Sequence, residues 1–297
     1  MKRTERENRE RVSFADVFIV CFIAALCLTC ILPFVHVTAK SLSSSRAVLS
    51  KEVFFLPIEW NLDSYTRVLN SPLMTRQMGF TALITVGQTV LSLVVTALCA
   101  YPLSRRYLPG RFWLTMFVMI TMYFSAGVIP SYLLYKDLGL LNTPWVLVLP
   151  GVFSAYNMLI LRTYFMNTIP DSLEESAVID GAGQFRIFIQ IWAPLSLPVF
   201  ATLALWVAVA RWNGYADAMY YTTARNLQPI QYLLYNMILS ATPSESLAGE
   251  SQVGVPLSAP EALQSATIMF ATVPILVVYP FLQKYFVKGV MLGSVKG

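Results

Sequence analysis

Histidine is almost missing from this 297-residue chain: His36 is the single one. With one imidazole, neither a histidine-based metal site nor a catalytic triad can be assembled from visible partners. Charge is also scarce. Only 12% of residues are Asp, Glu, Lys or Arg, against roughly a quarter in an ordinary soluble domain. The four cysteines, Cys21, Cys27, Cys30 and Cys99, all fall inside apolar runs. Cys27 and Cys30 have CxxC spacing, but no second ligand pair exists, so all four read as small packing residues. No G-x-x-x-x-G-K-[S/T] stretch occurs, so the chain carries no phosphate loop of that kind.

What is present is hydrophobic: 56% of the chain, arranged in long runs between short charged clusters. Such runs place the protein in a lipid bilayer, where a bare backbone finds no hydrogen bonds and must form helices. Hydropathy predicts six spans: Val17 to Thr38, Met78 to Leu103, Phe112 to Tyr135, Leu138 to Leu161, Trp192 to Ala210 and Ala262 to Gln283. The fold class is therefore all-α and polytopic. A charged head and Val37-Thr38-Ala39 give the first span the look of a signal peptide. Its apolar run is too long for a signal core, and five spans follow. Pro130, Pro150, Pro198, Pro274 and Pro280 interrupt the apolar runs, where kinks are expected.

Lys and Arg set the orientation. Lys2, Arg3, Arg6, Arg9 and Arg11 precede the first span; Arg105, Arg106 and Arg111 follow the second; Arg162 and Arg186 follow the fourth; Lys284, Lys288 and Lys296 follow the sixth. These alternate segments are expected in the cytoplasm with both termini, although Lys40, Arg46, Lys51, Arg67 and Arg76 in the first outer loop blunt the bias. The expected organisation is a leader at 1–16, one transmembrane domain at 17–297, an inner loop at 166–193 and a tail at 284–297. The third outer loop, Ala216 to Glu261, reads as irregular and carries Glu245, Glu250 and Glu261. The net charge of +5 flanks apolar segments instead of interleaving with aromatics, which argues against nucleic acid.

The inner loop is not a plain linker. Pro170 suits a helix start, Ser172 and Glu175 have capping-box spacing, and Gly181 suits a left-handed stop. A second short helix is expected from about Gln184 towards Pro194. Leu173 and Ala177 share a face, and Ser176, Ala177, Gly181, Ala182 and Gly183 are small enough to admit another protein's surface. Read from the residues alone, docking surface and solvated amphipathic loop stand level.

Glu175, Ser176, Ala177, Gly181, Ile191, Ala193 and Pro194 follow the pattern E-A-A, three residues, G, nine residues, I, one residue, L-P. They depart from it with Ser176 for alanine and Ala193 for leucine. This loop resembles that of binding-protein-dependent ABC importer permeases of the type I fold. "FSAGVIPSYLLYKDLGLLNTPWVLVLP", "YNMLILRTYF", "ARWNGYADAMYY" and "YPFLQKYFVKGVMLGSVKG" extend the likeness over nearly the whole chain, to the maltose-transporter-type carbohydrate permeases and their LplC-like branch.

The resemblance implies a bacterial inner-membrane subunit that pairs with a second permease, often a different one. It also implies two cytoplasmic ATPase subunits that use ATP and Mg, and an extracellular solute-binding protein; this chain itself would bind no cofactor. Leu173, Glu175, Ser176, Ala177, Asp180, Gly181, Ile191 and Pro194 would form the ATPase-coupling segment. The branch points to oligosaccharide cargo, including acidic ones derived from alginate or pectin; the loop motif alone would equally serve a non-sugar importer. Polar and aromatic residues suited to sugar are Tyr156, Asn157, Arg211, Trp212, Asn213 and Tyr215. An ion-gradient transporter is disfavoured, because no Asp, Glu or Lys lies within a predicted span and no repeat is evident. A membrane enzyme is disfavoured by the lack of a converging nucleophile and base.

Overall fold

The computed structural model describes residues 14–241 and 261–294, with side chains for 16–170, 172–239 and 261–280. The predicted charges Lys2 to Arg11, the loop carboxylates Glu245 and Glu250, the tail residue Lys296 and the side chains of Lys284 and Lys288 lie outside these limits. Among the described residues there is no β-strand, only one isolated bridge between Ser43 and Trp60. The described residues divide into two compact units, 14–68 with 261–269 and 69–241 with 270–294.

In the first unit, α1 (Phe14–Ser41) is apolar on all sides and exposed on all sides from Val17 to Val35. Only lipid makes such a helix stable. Burial begins at its far end. Ala39 packs with Ala47, Val48, Val53 and Ala262, and a short α2 (Ser45–Leu49) is capped by Ser44, whose hydroxyl accepts the Ala47 N–H at 3.2 Å. Lys40 pairs with Glu261 at 2.9 Å. His36 finds a partner here, its Nδ1 lying 2.7 Å from the Phe54 carbonyl oxygen. The amphipathic α3 (Asp63–Asn70) follows.

The second unit is organised around α4 (Pro72–Ser104), whose N-cap Ser71 and first-turn Pro72 set its start. Its inward face is polar and small over much of its length: Gln77, Thr81, Thr85, Gln88, Ser92 and Thr96 are all buried. The spacing of three and four places them in one stripe, which lets neighbouring backbones come close, as small and hydroxylated residues do between membrane helices. Gln88 donates to the Gly151 carbonyl at 3.2 Å, an approach so tight that a Cβ at position 151 would collide with the Gln88 amide.

Three predicted spans prove to be broken. Phe112 to Tyr135 is two helices, α5 (Arg111–Ile120) and α6 (Val128–Asp137), separated by an irregular stretch ending at Gly127, whose φ is +81°. The fourth span begins only at α7 (Pro144–Val148), passes a 3-10 turn over Leu149–Gly151 and continues as α8 (Ala155–Thr168), bent by 45°. Gly139 and Asn142, both at positive φ, occupy the turn that hydropathy had counted as helix.

Beyond α8 come α9 (Asp171–Ile179), α10 (Gln184–Ile187), a π turn over Phe188–Trp192, and α11 (Ala193–Leu195). The fifth span, α12 (Leu197–Asn213), turns by 78° from the preceding helix at Ser196. Then follow α13 (Ala216–Tyr221), α14 (Ile230–Ala241) and the long α15 (Glu261–Ser294).

Among the described residues, three helices are long and apolar enough to cross a bilayer, or five spans if each bent pair counts as one. The prolines explain part of the difference. Pro130 and Pro198 sit in the first turns of new helices and Pro150 in the 3-10 turn, where a missing N–H costs nothing. Pro274 and Pro280 lie inside the continuous α15.

Candidate functional site

The helix–turn–helix segment forms as the sequence predicts, with one change at its start. Helix α9 is entered from Pro170 with no side-chain cap. Ser172 is therefore inside the helix, its carbonyl accepting the Ser176 hydroxyl at 2.9 Å, and the capping box is not formed. The stop is a Schellman motif: Gly181 at φ +75° donates to Val178 O at 3.0 Å and Ala182 to Ala177 O at 2.9 Å. An alanine would be strained there by φ alone, since nothing lies within 4 Å of the added Cβ.

The two faces of α9 have different destinations. Leu173, Glu175, Ser176, Val178, Ile179 and Asp180 are exposed, Ile179 to 85%. Across the turn Phe185 is exposed as well. Ala177, predicted for the docking face, turns inward and packs with Leu161, Phe165, Ile187 and Trp192. Ile191 packs against that same core, and Pro194 is exposed. Glu174, three residues before Ala177, is buried as well, a residue sequence reasoning passed over.

Glu174 is the buried acid of a cluster at the end of α4. It pairs with Arg105; the two side chains are 9% and 5% exposed. The guanidinium also donates to Ser104 Oγ from Nη2 at 3.0 Å and lies 3.6 Å over the Trp192 ring. Tyr107 donates to Glu174 Oε1 at 3.1 Å, and Tyr101 donates to Gln184 Oε1 at 2.9 Å. The Tyr107 ring is exposed, but burial at its hydroxyl end, followed by the Glu174 charge, raises its pKa. One arginine thus binds the end of a long membrane helix to both arms of the segment. Two charges taken out of water stand only because they are paired and hydrogen-bonded. Its only sequence signal is a Glu-Glu doublet.

The six predicted sugar-path residues separate into two groups. Arg211, 6% exposed, is occupied internally: it pairs with Asp217 and donates to Leu147 O at 2.8 Å and Gly214 O at 3.1 Å. Trp212 is buried and donates to Ala271 O at 3.0 Å. Asn213 donates to Val209 O of its own helix at 2.9 Å, and Asn157 is buried in α8. Tyr156 and Tyr215 are exposed aromatics with partners sequence reading missed. Tyr156 stacks on Trp206 at 6.2 Å. Tyr215 stacks on Tyr235 at 4.7 Å, which in turn stacks on Tyr232 at 6.4 Å. Among the described residues no group of His, Cys, Asp and Glu could hold a metal.

An all-helical multi-pass chain with a clamped helix–turn–helix between two spans is the architecture of a transporter's membrane subunit. The chain belongs to the family of binding-protein-dependent transport system inner membrane components, whose model matches residues 75–292. It is 41% identical to the polygalacturonan/rhamnogalacturonan transport system permease protein YtcP of Bacillus subtilis (strain 168), over 95% of this chain and 98% of the relative. To Protein LplC of the same organism it is 39% identical, over 95% of each. Among solved structures it is similar to a chain of a bacterial ABC transporter involved in the import of the acidic polysaccharide alginate: TM-score 0.82, 32% identity, 96% of this chain and 100% of that one.

Proposed function

We propose that this protein is the permease subunit of an ABC importer that carries acidic oligosaccharides into the cytoplasm, driven by ATP hydrolysis in partner subunits. The observation that carries the mechanism is the asymmetric helix–turn–helix. Its outer edge offers Leu173, Val178, Ile179 and Phe185 to a partner, while its inner edge is fastened to α4 by Arg105 and Glu174. A partner that grips the outer edge moves α4 with it. An ATPase can bias the pathway only by holding the segment differently in its two states.

In this reading the segment and both termini are cytoplasmic. Two ATPase subunits bind ATP and Mg, a second permease completes the pathway, an extracellular solute-binding protein delivers the cargo, and this chain holds no cofactor. Acidic cargo is supported by the polygalacturonan and rhamnogalacturonan named for one relative and the alginate named for the solved neighbour. The exposed Tyr215, braced from behind by its stack on Tyr235 and Tyr232, offers one free aromatic face to a sugar ring. Arg211 is paired with Asp217, so in this reading it is an internal clamp and not the cargo's counter-charge.

The test is uptake of labelled oligogalacturonate by reconstituted complex. Uptake should require ATP and persist with an ionophore, and Tyr215→Ala should raise the KM about tenfold, the loss of roughly 1–1.5 kcal/mol of stacking. Uptake that survives ATP depletion but collapses with ionophore would overturn the mechanism. Equal transport of neutral and acidic sugars would overturn the cargo.

A further inference from the structure

Arg111 at the start of α5 and Arg162 on α8 line one small cavity of about 130 Å³, together with Phe112, Thr115, Met116 and Met119. Neither arginine forms an ion pair among the described residues, and no carboxylate lines the cavity. Arg162 spends Nε on the Leu103 carbonyl at 2.8 Å; Arg111 has only a long bond, 3.5 Å, to Arg105 O. Thr115 is 9% exposed, and its hydroxyl has no hydrogen-bond partner. Arg105, by contrast, is fully engaged a few residues away, and Arg106 is exposed outside the cavity.

Two half-buried guanidiniums and an orphaned hydroxyl are costly to leave unmatched. What offsets them is an anion with several acceptor oxygens, which a guanidinium fork binds in pairs. The remaining walls are Phe112, Met116 and Met119, on a helix whose Trp113 and Phe117 are exposed. A ligand that brings phosphate oxygens to the arginines and hydrocarbon to the methionines satisfies both sets. A carboxylate alone would satisfy the arginines and leave Phe112, Met116 and Met119 without an apolar partner.

We infer that this cavity is a binding site for the phosphate headgroup of an anionic phospholipid, whose acyl chains run along α5. Basic pockets at the ends of membrane helices recognise such headgroups, at about 1 kcal/mol, or roughly fivefold in affinity, for each arginine. The leaflet follows from the orientation proposed above, but the chemistry of the cavity does not depend on it.

The test uses the whole detergent-purified transporter, equilibrated with phosphatidylglycerol or phosphatidylcholine and read by native mass spectrometry. Phosphatidylglycerol should be retained in preference. Arg111→Gln and Arg162→Gln should each cut that retention roughly fivefold, while Arg106→Gln, at an exposed arginine outside the cavity, should not. The inference is overturned by equal retention of the two lipids, or by an assembled Arg111→Gln or Arg162→Gln complex that keeps phosphatidylglycerol like the wild type. It is also overturned by displacement with inorganic phosphate at the lipid's own concentration, which marks a free-ion site, or by a crosslinker at position 112 that captures a neighbouring subunit. Lipid retention is read without cargo, so it stands or falls separately from the uptake assay.

Discussion

Removing Glu174 is the sharpest perturbation of the clamp. In Glu174→Ala, Arg105 keeps its charge at 5% exposure with no carboxylate beside it. Breaking a buried pair from one side costs about 3–5 kcal/mol. The lower end applies here, because Ser104 Oγ and the Trp192 ring remain in contact with the guanidinium and the ring contributes on the order of 2 kcal/mol when desolvated. Arg105→Ala strands the carboxylate, with only Tyr107 left to donate to it, and should cost a similar amount. The double variant strands neither charge, so its loss should fall short of the sum by about 2 kcal/mol or more. Thermal unfolding of the reconstituted complex measures the cycle. Substrate moved per ATP hydrolysed, taken on the same samples, reports the mechanical role and should fall in both single variants. Losses that add to within about 0.5 kcal/mol would show that the two side chains are not coupled. A normal transport-to-hydrolysis ratio in a stable Glu174→Ala complex would show that α4 is not driven through them.

Gly181→Val should cost about 1–2 kcal/mol from the left-handed backbone, with no clash at its Cβ. Substrate-stimulated ATPase activity should be lost although the chain still inserts, and Gly181→Asn should restore part of it; unchanged stimulation in the valine variant would remove the turn from the coupling path. Asp217→Asn should destabilise the protein by about 1.5–3 kcal/mol, the range for hydrogen bonds to a charged group, without changing the preference for acidic over neutral cargo. If that preference increases, the freed Arg211 reaches the cargo and its assignment as an internal clamp is wrong.

Much of this protein was legible along the chain because its information is local. A helix apolar on every side, such as α1, can stand only in lipid. Pro170, Gly181 and the apolar spacing between them predict a helix, a left-handed stop and a second helix, and all three are present. The capping box failed because the helix begins at Asp171, two positions earlier than it would with Ser172 as its cap. Span three failed because hydropathy sums composition without regard to conformation. Ser125, Ala126 and Gly127 are apolar or small enough to pass, yet Gly127 takes a φ that no helix tolerates.

The order of residues along the chain is enough for the solvent of this protein, its helical class and the helix–turn–helix between two spans, since each follows from periodicity or from residues a few positions apart; the family resemblance rests on motifs spread along the chain. Which charges are free is a matter of packing between distant positions. Arg211 stood among the sugar-path candidates and is spent on Asp217, while Arg105, read only as an orienting charge, and Glu174, passed over, lie 69 positions apart and hold the segment to α4. A guanidinium looks the same in any sequence. Its role depends on whether a distant carboxylate reaches it away from water, and that is settled by packing.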